Sequence, residues 1–244
     1  YCIMQEGRHS HHNILQISPK AWHGQISKKQ KHLIMIMELK KTNKTIIKTI
    51  NDNQQSIIRD IILLHCPQGI EIDPTYSKGV FYKDAEDLEP LEKFDLYPQT
   101  DDTLQASADN LPHLDGQVSS IMFDPPFMAG FTKQKPSGIM GERFHGFKYI
   151  PELWAWYKKC LFEFYRILEN KGVLIFKCQD TVSGGKQWFS HNYIMSEAEK
   201  IGFYCKDMFI LTAKNRIIGH NHHNQKHARK YHSYFLVFIK NKKA

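Results

Sequence analysis

Neither a paired-cysteine motif nor a long apolar run is present in this chain of 244 residues. Its five cysteines are scattered without a Cys-x-x-Cys pair: Cys2, Cys66, Cys160, Cys178 and Cys205. This spacing argues against a disulfide framework and against a thiolate zinc site, and it fits a reducing cytoplasm. No apolar run approaches the roughly 20 residues that a helix needs to cross a bilayer, and no secretory signal is visible. We therefore expect a cytoplasmic protein with no metal site and no membrane segment.

Acidic residues are in the minority, with 25 Asp and Glu against 33 Lys and Arg, which gives a formal net charge of +8. A basic balance is compatible with binding a polyanion such as nucleic acid, although many basic proteins bind none. The hydrophobic share of 41% is ordinary for a globular protein, and the length suits one sizeable domain. We place a single domain at residues 51–244 and assign residues 1–50 to an N-terminal extension of unclear order.

The most informative segment is Asp124-Pro125-Pro126-Phe127. It follows residues 119–123, a run typical of a short buried strand. Because proline lacks an N–H and has a fixed φ, the turn is stiff and its carbonyls have few local donors. The Asp124 carboxylate and the Pro125 carbonyl then suit the exocyclic amine of a planar group such as adenine or cytosine, on which Phe127 would stack. The alternative is an ordinary strand-ending turn with a buried phenylalanine.

A second acidic turn, at residues 106–112, precedes this segment. Together the two segments resemble the DNA methyltransferases that use S-adenosylmethionine to methylate adenine N6 or cytosine N4. The resemblance implies direct methyl transfer without a metal, and adenine N6 as the expected target, because the Asp form of the motif is more usual for adenine. It implies the following catalytic residues: Asp124, Pro125, Pro126 and Phe127.

The resemblance also implies S-adenosylmethionine as the cofactor, held by the loop at residues 73–79. The family pattern there is Asp-Pro-Phe-x-Gly-x-Gly, so the Asp-Pro start and Gly79 match. One glycine is missing, because Tyr76, Ser77 and Lys78 are bulkier than the pattern requires. A plain strand-to-loop turn is the alternative for this segment.

Further acidic residues complete the expected cofactor site. Asp95 lies 22 residues after Asp73, about where an acid would hold the ribose hydroxyls; Glu86 and Asp87 are its rivals. Asp109 matches the family position near the cofactor's adenine, with a simple turn aspartate as the alternative. The expected cofactor-binding residues are Asp73, Pro74, Thr75, Gly79, Asp95, Asp109 and Asn110.

Two loops are candidates for contact with nucleic acid. Residues 128–150 interleave glycines, lysines and aromatics, and residues 215–232 are rich in basic residues and histidine. Solvated loops are the alternative, and for the second loop a zinc site is disfavoured by irregular His spacing without Cys or carboxylate partners. The candidate nucleic-acid-binding residues are Lys133, Lys135, Arg229 and Lys230. Because there is no space for a large target-recognition domain, we allow for a partner subunit in that role.

Strands alternate with helices along the chain, which predicts an α/β fold with helices on both faces of a mostly parallel sheet. A capping box at Asp52 and Gln55 predicts the start of a helix through Leu64. A second helix is expected over 153–168, ended by Asn170-Lys171-Gly172, and a third ends near Gly202. Expected strands lie at 70–74, 94–97, 106–108, 118–123, 173–177, 203–211 and 233–239, the last two antiparallel.

This order matches the Rossmann-like class I methyltransferase fold, with a mostly parallel seven-stranded sheet and an antiparallel C-terminal hairpin. Lys177, at the end of its strand, receives no role. The expected partner is DNA, and three alternatives stay open. They are an RNA-base methyltransferase, a protein glutamine methyltransferase, which usually has Asn in place of Asp124, and a non-catalytic nucleic-acid-binding module on the same fold.

Overall fold

The computed structural model describes residues 46–130, 147–213 and 226–241. Lys133 and Lys135, two of the candidate nucleic-acid-binding residues, lie outside these ranges. The elements in chain order are β1 (Ile50–Asn51), α1 (Gln54–His65), β2 (Ile72–Asp73), β3 (Glu92–Asp95), β4 (Leu104–Gln105), β5 (Val118–Phe123), α2 (Ile150–Ile167), β6 (Leu168–Cys178), β7 (Thr181–Ser183), β8 (Lys186–Trp188), α3 (Ser190–Ile201), β9 (Phe203–Thr212) and β10 (His232–Lys240). No helix within the described ranges is both long and apolar enough to span a membrane.

One sheet contains eight of these strands in the order β1-β9-β10-β6-β5-β2-β3-β4. Strand β10 is antiparallel to both β6 and β9, and the other neighbouring pairs are parallel. The predicted Rossmann-like class, with its antiparallel C-terminal hairpin, is therefore confirmed. The sheet has one strand more than the seven expected, because Ile50 pairs with Ile210 and adds β1 to the edge.

Helices cover both faces of the sheet. On one face, α1 buries four isoleucines, from Ile57 to Ile62, completely in an apolar cluster. On the other, α2 and α3 bury Leu153, Tyr157 and Ile194 in a second cluster. The cap of α1 differs from the prediction, because the side chain of Asn53, not Asp52, accepts the Ser56 N–H at 2.8 Å.

Two predicted boundaries are wrong for local reasons. Residues 106–108 do not form a strand: the short strand is β4, and the Asn110 N–H donates to the Ser107 carbonyl at 2.9 Å, which closes a tight turn. Helix α2 ends at Ile167, before Asn170-Lys171-Gly172, and β6 begins at the next residue.

The topology has a switch point between β2 and β5. From β2 the chain adds β3 and β4 on one side, then returns to β5 on the other side of β2. In open α/β sheets, ligands bind beyond the carboxyl ends of the strands at such a point. The loop after Asp73 and the segment that begins at Asp124 therefore leave the sheet side by side.

Candidate active site

Asp73, Thr75 and Asp124 are joined by hydrogen bonds across the switch point. The Thr75 hydroxyl accepts the Asp124 N–H at 3.0 Å and lies 3.1 Å from Asp73 Oδ1, to which it donates. The Thr75 N–H also donates to Asp73 Oδ1, at 2.7 Å. One threonine thus fixes the expected cofactor loop to the expected catalytic segment.

Asp73 is a buried carboxyl group, 1% exposed. Its Oδ2 accepts from the Tyr82 hydroxyl at 2.8 Å. Burial raises the pKa of Asp73 to about 7; the hydrogen bonds from Thr75 and Tyr82 act in the opposite direction, and the nearby charge of Asp124 adds to the rise. This group therefore changes its charge near neutral pH.

In the loop after β2, a serine adopts the backbone conformation of the missing glycine. Ser77, at the position where the family pattern has the first of its two glycines, has a φ of +54°, in the left-handed region that favours glycine. Gly79 has a φ of +68°, and a Cβ there would lie 2.5 Å from the Tyr76 hydroxyl oxygen. Gly79 is thus required by both conformation and space, whereas Ser77 takes the glycine conformation at some cost.

Asp95, the last residue of β3, holds the same loop. Its Oδ2 accepts the Ser77 N–H at 2.9 Å, and its Oδ1 accepts the Tyr97 N–H at 2.8 Å. Burial raises the pKa of Asp95, and these two backbone hydrogen bonds oppose the rise. Each carboxylate oxygen retains a further lone pair for a ligand.

Asp109 and Asn110 lie in the tight turn that follows β4. The Ser107 hydroxyl donates to the Asp109 carboxylate, and the Asn110 side chain is exposed. The next N–H, of Leu111, donates to Glu163 of α2 at 2.7 Å, which fixes the turn against the helix. No hydrogen bond within the described ranges joins Asp109 to Asp73 or Asp124.

An aspartate lies at or beyond the carboxyl end of each of the five neighbouring parallel strands, β2 to β6. They are Asp73, Asp95, Asp109, Asp124 and Asp180. Sequence analysis missed Asp180, which is buried and accepts from His191 Nδ1 at 2.8 Å. An acid directly after a buried strand was the signal that could have identified it. The edge is therefore acidic, in contrast to the basic chain as a whole.

The segment Asp124–Phe127 is fixed to α2 by a buried tyrosine. The Tyr157 hydroxyl of α2 donates to the Pro126 carbonyl, and burial keeps that hydroxyl protonated by raising the pKa of Tyr157. Pro125 is buried and Phe127 is half-buried. Within the described ranges, no hydrogen bond reaches the Pro125 carbonyl.

Lys177 is a functional candidate to which sequence analysis assigns no role. Its Nζ lies 3.4 Å from Asp124 Oδ1 and donates to Gln54 Oε1 at 2.9 Å. Strands β5 and β6 pair in parallel with Phe123 opposite Phe176, which brings the next residues, Asp124 and Lys177, together. The sequence signal for Lys177 was a lysine at the end of the apolar run of β6, the strand that pairs with β5.

The described cysteines and acids offer neither an activated thiol nor a metal site. Burial raises the pKa of Cys66 to about 12 and that of Cys160 and Cys178 well above its ordinary value. No group of three potential ligands among His, Cys, Asp and Glu occurs in the described part of the chain.

Of the candidate nucleic-acid-binding residues, two are described. Arg229 is exposed just before β10, and the Lys230 ammonium donates to the Ala228 carbonyl at 3.1 Å.

Similar solved structures have low sequence identity. A putative DNA modification methylase from Thermus thermophilus, solved with S-adenosyl-L-methionine, is 16% identical, with a TM-score of 0.39. The match covers 55% of this chain and 52% of that one. A putative methyltransferase in complex with the Trm112 activator from Haloferax volcanii is 12% identical, with a TM-score of 0.45 and coverage of 75% and 88%. An S-adenosylmethionine-dependent methyltransferase from Thermotoga maritima, possibly a histamine N-methyltransferase by its description, is 16% identical, with a TM-score of 0.43 and coverage of 78% and 87%. The chain spans about half the length of the Thermus methylase.

A search of curated proteins finds no match. A family model described as DNA methylase matches residues 118–244, from the start of β5 onward. The match includes the Asp-Pro-Pro-Phe segment and confirms the resemblance inferred from it. This match covers just over half of the residues of the chain, and the chain therefore belongs to the DNA methylase family.

Proposed function

We propose that this protein transfers a methyl group from S-adenosylmethionine to an exocyclic amine of a DNA base, with adenine N6 as the first candidate. The observation that carries the proposal is the Thr75 hydrogen bond to the Asp124 N–H, at 3.0 Å. It joins the loop that would bind the cofactor to the carboxylate that would receive the base. A methyl donor and a methyl acceptor must meet within one site, and the switch point is suited to hold both.

The acidic edge suits a cationic cofactor with ribose hydroxyls. In the proposed site, Asp73, Pro74, Thr75 and Gly79 line the loop, while Asp95 receives ribose hydroxyls and Asp109 with Asn110 borders the adenine. When bound, S-adenosylmethionine would supply the methyl group from its sulfonium and be left as an uncharged thioether, and the base nitrogen that receives the methyl group would release one N–H proton to solvent. The backbone of that loop is left-handed at Ser77 and Gly79.

The Asp124 carboxylate and the Pro125 carbonyl accept the two N–H groups of the base amine. These hydrogen bonds orient the nitrogen lone pair, which is otherwise delocalised into the ring, toward the methyl group. Tyr157 fixes the neighbouring Pro126 carbonyl, so the stiff turn presents one carbonyl to the base and one to the protein. Phe127 stacks on the base, a contact that contributes about 1–3 kcal/mol in comparable complexes.

Lys177 positions Asp124 for this role. An ionised carboxylate is purely an acceptor, and its hydrogen bonds are stronger than those of the neutral acid. The Lys177 ammonium beside Oδ1 supplies a counter-charge, and it leaves Oδ2 for the amine. The described cysteines are buried or half-buried, and burial raises the pKa of each thiol, so none offers an activated nucleophile for a covalent enzyme–base adduct, which favours direct transfer.

A base within a duplex must leave the stack before it can reach Asp124. Basic residues near the carboxyl edge would hold the phosphates of the displaced strand. Arg229 and Lys230 are the described candidates, and Lys133 and Lys135 are proposed from the sequence alone. We include a partner subunit for target recognition in the proposal.

The test is transfer of labelled methyl from S-adenosylmethionine to unmethylated DNA, with RNA in parallel, followed by nucleoside digestion. We expect label in N6-methyladenine, and a loss of about 100-fold or more in Asp124→Ala with cofactor affinity retained. Asp101→Ala removes an exposed aspartate away from the site and should retain full activity.

Each other outcome has a distinct meaning. Label in N4-methylcytosine would support the proposed mechanism but make cytosine N4 the target. Label only in RNA would make RNA, not DNA, the substrate. Normal turnover in Asp124→Ala would refute the catalytic assignment. No transfer to either polymer, together with no cofactor binding, would favour a non-catalytic nucleic-acid-binding module.

A further inference from the structure

An open groove of about 510 Å³ lies between the β7–β8 hairpin and helices α2 and α3. The proposed methyl-transfer site does not use it. We call it the aromatic groove, and its relevant lining residues are Trp154, Lys186, Trp188, Phe189, Tyr193 and Lys200. Four aromatic rings and two lysines thus line one open surface.

The groove opens near the edge of the sheet that carries Asp124. Strand β6 runs parallel to β5, with Phe176 opposite Phe123. The hairpin begins at Thr181, directly beyond the carboxyl end of β6. Trp154 lies in the first turns of α2, which follows the loop after the catalytic segment. A strand of nucleic acid that delivers a base to Asp124 would therefore pass close to this groove.

The aromatic rings are held in fixed positions. Trp154 stacks on Tyr193, with ring centroids 4.3 Å apart and planes 12° from parallel, and Trp188 meets Trp154 edge to face at 5.2 Å. The indole N–H groups donate to the Ser190 hydroxyl and the Ser183 carbonyl. Beside this rigid wall, the Phe189 side chain is exposed, with 55% of its surface accessible. A fixed aromatic wall with an exposed ring is suited to base stacking.

The charge of the groove is positive. The Lys186 ammonium lies over the Trp188 ring at 4.3 Å from its centroid and is exposed. Glu197 brings a negative charge to the groove, but it pairs with Lys158 at 2.8 Å and with Lys200 at 2.6 Å. Lys186 and Lys200 against Glu197 leave the lining of the groove with one net positive charge, which complements a phosphate backbone.

The groove is continuous with the basic segment before β10. His227 Nε2 lies 3.0 Å from the carbonyl oxygen of Gly185, at the tip of the hairpin. Arg229 and Lys230 follow two and three residues later. The hairpin and this segment are therefore in contact, next to the groove.

We infer that the aromatic groove binds the DNA strand that flanks the target base, with a phosphate at Lys186 and a base against Phe189. This inference rests on the proposed function, because it takes DNA as the substrate. It gives the protein a recognition surface that is made in part from a short hairpin. The alternative is that a partner protein binds in the same groove.

Because Trp154, Trp188 and Tyr193 also pack against the core, the test uses the two exposed residues. The double variant Lys186→Ala/Phe189→Ala is compared with the wild-type protein in binding a fluorescent DNA oligonucleotide over a series of salt concentrations. We expect affinity to fall about tenfold or more, and the slope of log K against log salt to fall by about one phosphate contact, roughly 0.7–0.9. Cofactor affinity and thermal midpoint should not change.

Lys206→Ala is the matched control for charge. Lys206 is exposed on β9, toward the end of that strand opposite to the carboxyl edge, and its replacement should leave DNA affinity and the salt slope as they are. Equal DNA affinity and slope in the double variant and the wild type would overturn the inference. A double variant that loses affinity for RNA or for a protein partner, but not for DNA, would also overturn it.

The failure of this inference and the failure of the proposed function give different results. If the wild-type protein methylates DNA and the double variant binds DNA normally, the groove assignment fails and the function stands. If DNA binding depends on Lys186 and Phe189 but cofactor-loaded protein transfers no methyl group, the groove assignment stands and the function fails.

Discussion

The ammonium group of Lys177 lies between Asp124 Oδ1, at 3.4 Å, and Gln54 Oε1, at 2.9 Å. Its side chain is only 15% exposed, and the rings of Phe81 and Phe235 lie 4.7 and 5.6 Å from the nitrogen. Residues from α1, β6 and β10 thus fix one positive charge beside the proposed catalytic carboxylate. A charge that is held by its surroundings does not need to reorganise during the reaction.

Replacing Lys177 by methionine should lower turnover about tenfold or more. An ion pair at this distance contributes about 1–4 kcal/mol, depending on the local dielectric constant, and the variant retains the volume of the side chain. The measurement is kcat for methyl transfer, with cofactor affinity and thermal midpoint determined in parallel.

Lys177→Arg retains the charge and serves as the control. It should retain more activity than the methionine variant, even if its larger head group lowers the rate. A merely structural role for Lys177 would instead lower the thermal midpoint of the methionine variant and leave the kcat of the folded protein unchanged.

Thr75→Val should weaken both the fold and the reaction. The hydroxyl accepts from the Asp124 N–H and donates to Asp73, so the isosteric valine leaves a partly buried N–H without a partner. We expect a loss of about 1–2 kcal/mol in the free energy of unfolding, measured by urea denaturation, and a lower kcat. Thr75→Ser keeps the hydroxyl and should behave like the wild type; equal losses in both variants would show that the methyl group, not the hydrogen bond, matters.

The common position of three acids at one edge could be predicted from the sequence. Asp73 and Asp124 end or follow short apolar runs, Asp95 was selected by its spacing of 22 residues from Asp73, and parallel strands bring their carboxyl ends to one edge. The local sequence pattern was less reliable where either of two neighbouring residues could cap a helix. Asp52 and Asn53 are both good caps, and only the backbone geometry selects Asn53.

The contacts of Lys177 and Phe189 could not be predicted in the same way. Lys177 meets Asp124 through the register of β5 and β6, and meets Gln54 through the packing of α1, 123 residues earlier in the chain. The aromatic groove likewise requires the β7–β8 hairpin, whose short strands have no strong periodic pattern. Contacts between residues distant in sequence depend on register and packing, which the local pattern does not specify.

The loop after β2 should respond in opposite ways to Gly79→Ala and Ser77→Gly. At Gly79 a methyl group meets both an unfavourable φ and the Tyr76 hydroxyl at 2.5 Å, so we expect a loss of about 1–3 kcal/mol in stability and weaker cofactor binding. At Ser77 glycine relieves a left-handed conformation worth about 1–2 kcal/mol, offset by about 0.5–1 kcal/mol of backbone entropy. Ser77→Gly should therefore be neutral or slightly stabilising in thermal denaturation. A clear loss of stability in Ser77→Gly would contradict this account of the loop.

Asp73 should make the stability of the free protein depend on pH. Burial raises the pKa of its carboxyl group to about 7 in the folded state, against about 3.9 in an unfolded chain. Between these values the folded state binds more protons, so this contribution is fully present below about pH 4 and is lost as the pH rises through 7. The loss approaches about 1.4 kcal/mol per pH unit within that window.

Asp73→Asn removes this titration and leaves every other ionisable group in place. We therefore expect the free energy of unfolding of the wild type, taken relative to the variant, to decrease from pH 5 to pH 7 and to level off above pH 8. Urea denaturation at half-unit intervals of pH measures the difference directly. A saturating cationic cofactor should flatten the wild-type curve, because its charge favours the ionised carboxylate and thereby lowers the pKa of Asp73. Parallel curves for the two cofactor-free proteins would show that Asp73 stays ionised throughout, held in that state by its three hydrogen-bond donors against the effect of burial.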